Sequence, residues 1–519
     1  MNRRSISLYL TRPLALLNIA MLIVAFGLSA CSPYCNSSDC APPLGTLPDA
    51  TSLQVANGIA YYMANNTLYA LDDHNGKLLW RFAAGEINQP VVSNGVVYLN
   101  IDNILNPNDS QFGEWVYALQ GSDGKLLWRF RVVPYITQIT PPPPQIIGGT
   151  VYAQSSNETY GSTLFALRAS DGKLLWSQNP IGSNGESVTL MLAAYGIAYL
   201  NTYSSNTGYL IARNVSNGQQ LWQYTFPHGS PGFANMTGNI LYMTVISTQG
   251  MGGWGTTYAF QADTGQLLWQ SPLGGSLTVT LNAIYLDDNE ALFGNSSTDY
   301  FYALRPDNGK LLWQLQVHAG VEDSIPQIWA ANTDAVYVTF GSSFGTTWYA
   351  LGATNGKPLW RFPTQGNHVQ QLAEPFSLIN LKQWPIYANS VYLPAILLDP
   401  DKMKYDFELH AFQAVTGKSL WIFSPTPTVR GMTSFTIVQG VIYLNTATGQ
   451  TQTPQYLWAI RAEDGKVLWH SIQSEKASNQ VITPEGVYFS IVKGSANHFT
   501  YTLLALNTNT GKQSWAFQA

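Results

Sequence analysis

The chain has 519 residues, enough for one large core or for two or three ordinary ones. Charged residues make up only 11% and aromatics 13%, with 44 glycines and 28 prolines. That balance fits many short strands joined by tight turns and excludes a coiled coil or a disordered chain. A formal charge of −5, with basic residues scattered and only seven histidines, offers no basic patch for phosphates, so no nucleic-acid partner is expected.

Residues 1–30 read as a lipoprotein signal peptide. Arg3, Arg4 and Arg12 form a basic front end before an apolar run from Leu14 to Leu28. Leu28-Ser29-Ala30-Cys31 follows and resembles the lipobox of bacterial lipoproteins. The resemblance implies that Cys31 is acylated and becomes the new N-terminus, with an ordinary cleaved leader or an uncleaved anchor as alternatives. Residues 31–50 would then be a lipidated tether, and the expected location is extracytoplasmic, anchored to a bacterial membrane. Cys35 and Cys40 either close a small disulfide loop in an oxidising compartment or remain free thiols, and no cysteine follows Cys40.

Residues 51–519 carry one unit repeated ten times. Its first copy runs from Tyr69 to Trp80, with a turn at Asn75-Gly76. The turn glycines are Gly76, Gly124, Gly172, Gly218, Gly265, Gly309, Gly356, Gly417, Gly465 and Gly511. Four residues after each stands a tryptophan: Trp80, Trp128, Trp176, Trp222, Trp269, Trp313, Trp360, Trp421, Trp469 and Trp515. An alanine precedes each glycine by six positions, from Ala70 to Ala505, and Asn, Asp or Thr stands directly before it. Asn-Gly and Asp-Gly are hairpin signals, since glycine tolerates positive φ and Asn or Asp can bond its own backbone. Upstream, a short apolar run ends in tyrosine in every copy, from Tyr61 and Tyr98 to Tyr443 and Tyr488. The unit is thus four short strands, the size of a propeller blade.

The pattern Ala-x-x-x-x-x-Gly-Lys-x-x-Trp, with Gln219 and Gln266 replacing the lysine in two copies, resembles the tryptophan-docking repeat of pyrroloquinoline-quinone-type propellers. That family includes quinoprotein alcohol dehydrogenases and the propeller lipoprotein of the outer-membrane barrel assembly machinery. The resemblance implies an all-β propeller in which each tryptophan packs near the turn glycine of a neighbouring blade. Ten copies give a single ring of ten blades, or eight blades plus two displaced repeats. The first and last copies each supply four strands, so no swapped strand is expected at closure.

The constant hairpins define one face of the ring, and the opposite face carries the loops that vary. The tyrosine-to-alanine connection is longest from Tyr98 to Ala118, and the tryptophan-to-tyrosine connection from Trp360 to Tyr392. Candidate binding loops there hold Glu114 and Trp115, then His368, Glu374 and Trp384; an aromatic beside a carboxylate could grip sugar or peptide. Leu398 to Lys402 adds charge near the second insertion, and Pro141 to Pro144 reads as a stiff spacer.

Catalytic signals are thin. The quinoprotein enzymes imply quinone, a calcium-type ion and often a vicinal disulfide, yet no cysteine lies in the repeats. Asp287-Asp288-Asn289-Glu290 lacks the alternating spacing of a calcium loop. Gly341-Ser342-Ser343-Phe344-Gly345 has the letters of a nucleophile elbow but falls between two strands. No catalytic or metal-binding residue is assigned and no cofactor is expected, with pyrroloquinoline quinone plus calcium as the alternative. The function expected is a non-catalytic binding or scaffold module whose partner is an envelope protein or polysaccharide. A quinone-dependent dehydrogenase and a carbohydrate-binding sensor are the alternatives.

Overall fold

The structure is a computed structural model. It describes residues 52–519 except 84–85, 88, 104–112, 134–141, 156–160, 181–187, 205, 249–252, 289–297, 319–326, 343–344, 363–385, 400–403, 427–430, 448–454, 474–476 and 496–497. Every regular element among the described residues is a β-strand. The strands form ten antiparallel sheets, each from one stretch of chain: residues 52–83, 86–133, 145–178, 188–227, 229–271, 276–318, 327–362, 386–423, 431–473 and 477–518. These are the ten blades of one ring, so the arrangement of eight blades with two displaced repeats does not hold.

Within each blade the strands lie side by side in chain order. First strands of neighbouring blades approach one another, as Ser52–Ala56 approaches Ala477–Ile482 and Val188–Ala194 approaches Gly229–Thr237, and so form the wall of the bore. Blade 2 departs from the four-stranded plan. Its first strand is split into Glu86–Ile87 and Val91–Ser93, both paired with Val96–Asn103. Pro90, which has no N–H to give to a ladder, stands at the break.

The hairpin between third and fourth strands is longer than a two-residue Asn-Gly turn. In blade 1 the Gly76 N–H donates to the Asp72 carbonyl at 2.8 Å, and the Asp72 N–H to Lys77 at 2.9 Å. The loop ends on Gly76 at φ +72°, and the next strand carries one extra residue, Leu79, between the pairs Leu71–Leu78 and Ala70–Trp80. The residue before the glycine is chosen for its side chain. Asn75 Oδ1 accepts the Lys77 N–H at 2.9 Å, and the same bond recurs in all ten blades, through to Thr510 and Lys512 at 3.4 Å.

Across a blade the repeat tyrosine, alanine and tryptophan share one row, as with Tyr61 opposite Ala70 and Ala70 opposite Trp80. The buried alanine has no bulk, so the two rings close over it with centroids 5.7–6.2 Å apart in every blade. The tryptophan then reaches the next blade. A Cβ on Gly124 would lie 2.7 Å from the Trp80 ring, so this glycine is required by contact as well as by φ. Each tryptophan Nε1–H donates to the carbonyl three residues before that glycine, at 2.6–3.0 Å in all ten joints. In six joints the tyrosine hydroxyl donates to the same carbonyl at 3.0–3.4 Å. Burial pushes the phenols of Tyr61, Tyr152, Tyr199, Tyr337 and Tyr488 up to about 12, so they stay protonated throughout the physiological range.

The ring closes by the same joint. Trp515 covers Gly76 of blade 1 and donates to the Asp73 carbonyl at 2.9 Å, while the Tyr488 hydroxyl reaches that carbonyl at 3.4 Å. Leu53, Tyr62 and Leu71 of blade 1 pack with Leu503 and Trp515 of blade 10 in one buried cluster. As expected, no strand is exchanged between the first and last blades.

Candidate functional site on the loop face

The second and third strands of blade 2, Val96–Asn103 and Gly113–Gln120, extend two residues further each than Ile59–Ala64 and Thr67–Asp72 of blade 1. Asp102 and Glu114 therefore stand directly opposite each other at the loop face, both buried (7% and 2% exposed) on the side toward blade 3. Register also sets Glu86 opposite Asp102. Two residues back, Asn100 Nδ2 donates to the Pro142 carbonyl at 2.7 Å, anchoring the proline run to blade 2.

Trp115 lies in a strand rather than a loop and faces the other way. The Arg129 and Arg131 guanidiniums stand 4.9 and 5.6 Å from its ring, and its edge meets Tyr117 at 6.4 Å. The ring is half-buried against the blade 1–blade 2 core. Packed between cations and a phenol, it presents a cationic rim rather than an open stacking plate.

The second insertion leaves the fourth strand of blade 7 at Phe362; His368, Glu374 and Trp384 lie outside the described residues. Phe362 meets His410 at 4.7 Å and Phe412 at 5.0 Å. His410 Nε2 lies 2.9 Å from Glu408 Oε2, and Ser424 Oγ donates to Glu408 Oε1 at 3.0 Å. Burial lowers the His410 pKa, against the opposing pull of Glu408. The carboxylate stands between hydroxyl and imidazole, so His410 does not touch Ser424, which is not the order of a Ser-His-Asp triad.

Other sequence signals resolve into structure. Ser342 and Gly345 stand opposite each other at the ends of the antiparallel strands Ala335–Ser342 and Gly345–Gly352, and Ser343 and Phe344 between them lie outside the described residues. Asp287 Oδ2 accepts the Ile328 N–H of the next blade at 3.1 Å, a latch between blades 6 and 7. Asn201 to the Pro231 carbonyl, and Asn445 to Gln480, do the same work between other pairs. Asn100, Asn201, Asp287 and Asn445 each follow the repeat tyrosine by two residues, a periodic signal that sequence reading passed over. Among the described residues, Asp72, Asp73 and His74 are the one group of three metal-capable side chains, and they lie on the hairpin face. Asp72 Oδ1 accepts the N–H groups of His74 and Asn75, and Asp73 Oδ1 lies 2.5 Å from His74 Nδ1, contacts that belong to the hairpin itself.

A quinone cofactor finds little support in the bore. Pyrroloquinoline quinone is a planar tricarboxylate, and its charge calls for arginine or lysine nearby. The first strands of the ten blades contain neither, and their one charged residue is Glu86. No described tryptophan is exposed to serve as a stacking face. Among the described residues, the strands that wall the bore do not offer the cations this cofactor calls for.

Comparison with known proteins follows the repeat. The family model described as outer membrane protein assembly factor BamB matches residues 41–244. The glucose/ethanol/alcohol dehydrogenase β-propeller domain matches residues 277–519. Among solved structures, BamB from Moraxella catarrhalis is 14% identical, aligns over 74% of this chain and 98% of its own, and has a TM-score of 0.35. A europium-containing methanol dehydrogenase is 14% identical over 81% of this chain and 85% of its own, with a TM-score of 0.39. The quinohemoprotein alcohol dehydrogenase from Comamonas testosteroni is 15% identical over 83% and 73%, with a TM-score of 0.37. No curated protein matches the sequence. With both halves matched by models of one repeat, and ten identical joints around the ring, the chain belongs to the pyrroloquinoline-quinone-like β-propeller repeat family.

Proposed function

We propose that the protein is a non-catalytic scaffold lipoprotein outside the cytoplasm, tethered through Cys31, that holds an envelope protein or polysaccharide on its loop face. The observation that carries this reading is the contrast between an invariant hairpin face and a loop face with two polar, strand-rooted insertions, at blade 2 and between blades 7 and 8. The match of residues 41–244 to an outer-membrane assembly factor supports an envelope setting and a protein partner. The match of residues 277–519 to a dehydrogenase propeller favours the competing reading, a quinone-dependent enzyme, against which stands the absence of Arg and Lys from the described first strands of the blades.

Two measurements test the proposal. Membrane-fractionated full-length protein should lose its anchorage on Cys31→Ser. Crosslinking in whole envelopes should yield a discrete adduct that disappears when residues 104–112 and 363–385 are replaced by short turns. An adduct indifferent to those replacements would refute the loop-face assignment. Saturable, calcium-dependent quenching of tryptophan fluorescence by micromolar pyrroloquinoline quinone would instead establish the dehydrogenase reading.

A further inference from the structure

The outer half of blade 2 departs from the repeat in its side chains as well as in its strand lengths. Arg129 follows the docking residue Trp128 by one position and Arg131 by three. At the second of these positions the other nine blades are uncharged, from Ala83 in blade 1 to Gln518 in blade 10. Trp115 stands three residues before the repeat alanine, where every other blade has threonine, tyrosine or glutamate.

Cross-strand register brings these departures together. Arg131 stands opposite Trp115 and Arg129 opposite Tyr117, on the face of blade 2 that looks toward blade 1. Counted from the docking residues, Trp115 is level with Thr67, where the third strand of blade 1 begins, and Arg131 with Ala83, where its fourth strand ends. The cover that blade 1 gives the rung below, where Phe82 lies 5.9 Å from Tyr117, stops here, and both arginines are exposed. Arg129 Nη1 donates to the Tyr117 hydroxyl at 3.3 Å. The two guanidiniums converge on one indole, 4.9 and 5.6 Å from its centroid, although like charges repel. Stacking engages the flat face of a guanidinium, whereas an oxyanion is held by its N–H edge through two parallel hydrogen bonds. The chain as a whole carries −5, so a polyanion would be drawn to this ledge by local charge and not by net charge.

We propose, building on the loop-face reading above, that the ledge of Arg129, Arg131 and Trp115 binds the carboxylate or phosphate groups of an anionic polysaccharide. A protein interface is centred on uncharged aromatic and apolar side chains with charge depleted from its middle; here the middle is two cations. The two arginines lie two residues apart on one strand, a Cα separation of about 7 Å, so they can meet separate oxyanions along one polymer.

Calorimetric titration of the detergent-solubilised full-length protein tests this, with polygalacturonate and phosphorylated dextran as the two anionic probes and plain dextran as the neutral one. At least one anionic probe should bind and plain dextran should not. Arg131→Gln should weaken binding about tenfold, the worth of one charge-assisted hydrogen bond. Arg129→Gln/Arg131→Gln should abolish it with the urea midpoint unchanged, and Arg131→Lys, which keeps the charge but not the fork, should recover part of the loss. Arg81→Gln, an exposed change at the blade 1 position that matches Arg129, should bind as wild type. Wild-type protein that binds neither anionic probe, an equal loss in Arg81→Gln, or tighter binding of polyglutamate than of either probe would each overturn the proposal. An envelope adduct that is lost on replacing residues 104–112 and 363–385, but kept in Arg129→Gln/Arg131→Gln, would overturn the ledge while leaving the loop-face reading intact.

Discussion

The two faces of this ring obey different constraints. On the hairpin face every blade repeats one solution, in which a glycine too close to an indole for any side chain is followed four residues later by the tryptophan for the next joint. On the loop face the strands run to different lengths and end in different side chains: the Asp102–Glu114 pair in blade 2, the Glu408–His410 pair in blade 8. Repetition is where the stability resides, and variation is where a partner can be chosen.

The comparison breaks most visibly if a docking residue proves dispensable. Trp269→Ala should cost about 3–5 kcal/mol, read as a drop in the urea midpoint, because the ring is buried and its N–H is the shorter of the two hydrogen bonds to the Pro306 carbonyl. Glycines sort by the same logic. Gly309→Ala meets the Trp269 ring at 2.3 Å on top of a positive φ, whereas Gly238→Ala keeps a positive φ with nothing within 4 Å. The first should be more destabilising by at least about 1 kcal/mol, the lower end of an overpacking penalty. Tyr242→Phe should cost about 1 kcal/mol, removing one of the two donors to the Pro306 carbonyl. On the loop face, replacing residues 104–112 with a short turn should change stability by less than about 1 kcal/mol, since loop closure depends only weakly on length; a larger loss would mean the insertion is part of the scaffold.

The hairpin face was legible in the sequence because its constraints are local and repeated. Ala70, Gly76 and Trp80 announce themselves through ten identical spacings, each set by contact rather than by propensity. The loop face was legible only as a place. Sequence spacing located the insertion holding Glu114 and Trp115, but Trp115 stands in a strand under Arg129 and Arg131, because the extended hairpin of blade 2 continues its ladder past the usual end. The buried pair of Asp102 and Glu114 depends on cross-strand register, and the Glu408–His410 contact on rotamers, neither of which spacing reveals. Asp73 was hidden for another reason. It sits at a position where the repeat tolerates many residues, and its meaning appears only once blade 10 is seen to close on it.

The smallest expected effect also separates the faces. Both carry a histidine–carboxylate pair, but with opposite partners buried: Asp73 beside exposed His74 where blade 10 closes on blade 1, and His410 beside the more exposed Glu408 at the root of the second insertion. For His410, burial lowers the folded pKa, so the unfolded chain binds the proton more readily and stability falls as pH drops through the ordinary histidine range near 6.5. The blade 7–blade 8 interface should thus loosen on acidification. Amide exchange around residues 358–362 and 407–412 at pH 7.5 and 5.5 checks this. His410→Gln, which cannot take up a proton, should flatten the response there and leave the internal joint around residues 240–269 unchanged. If residues 240–269 weaken equally on acidification, the His410 pair merely follows the global acid lability of the fold.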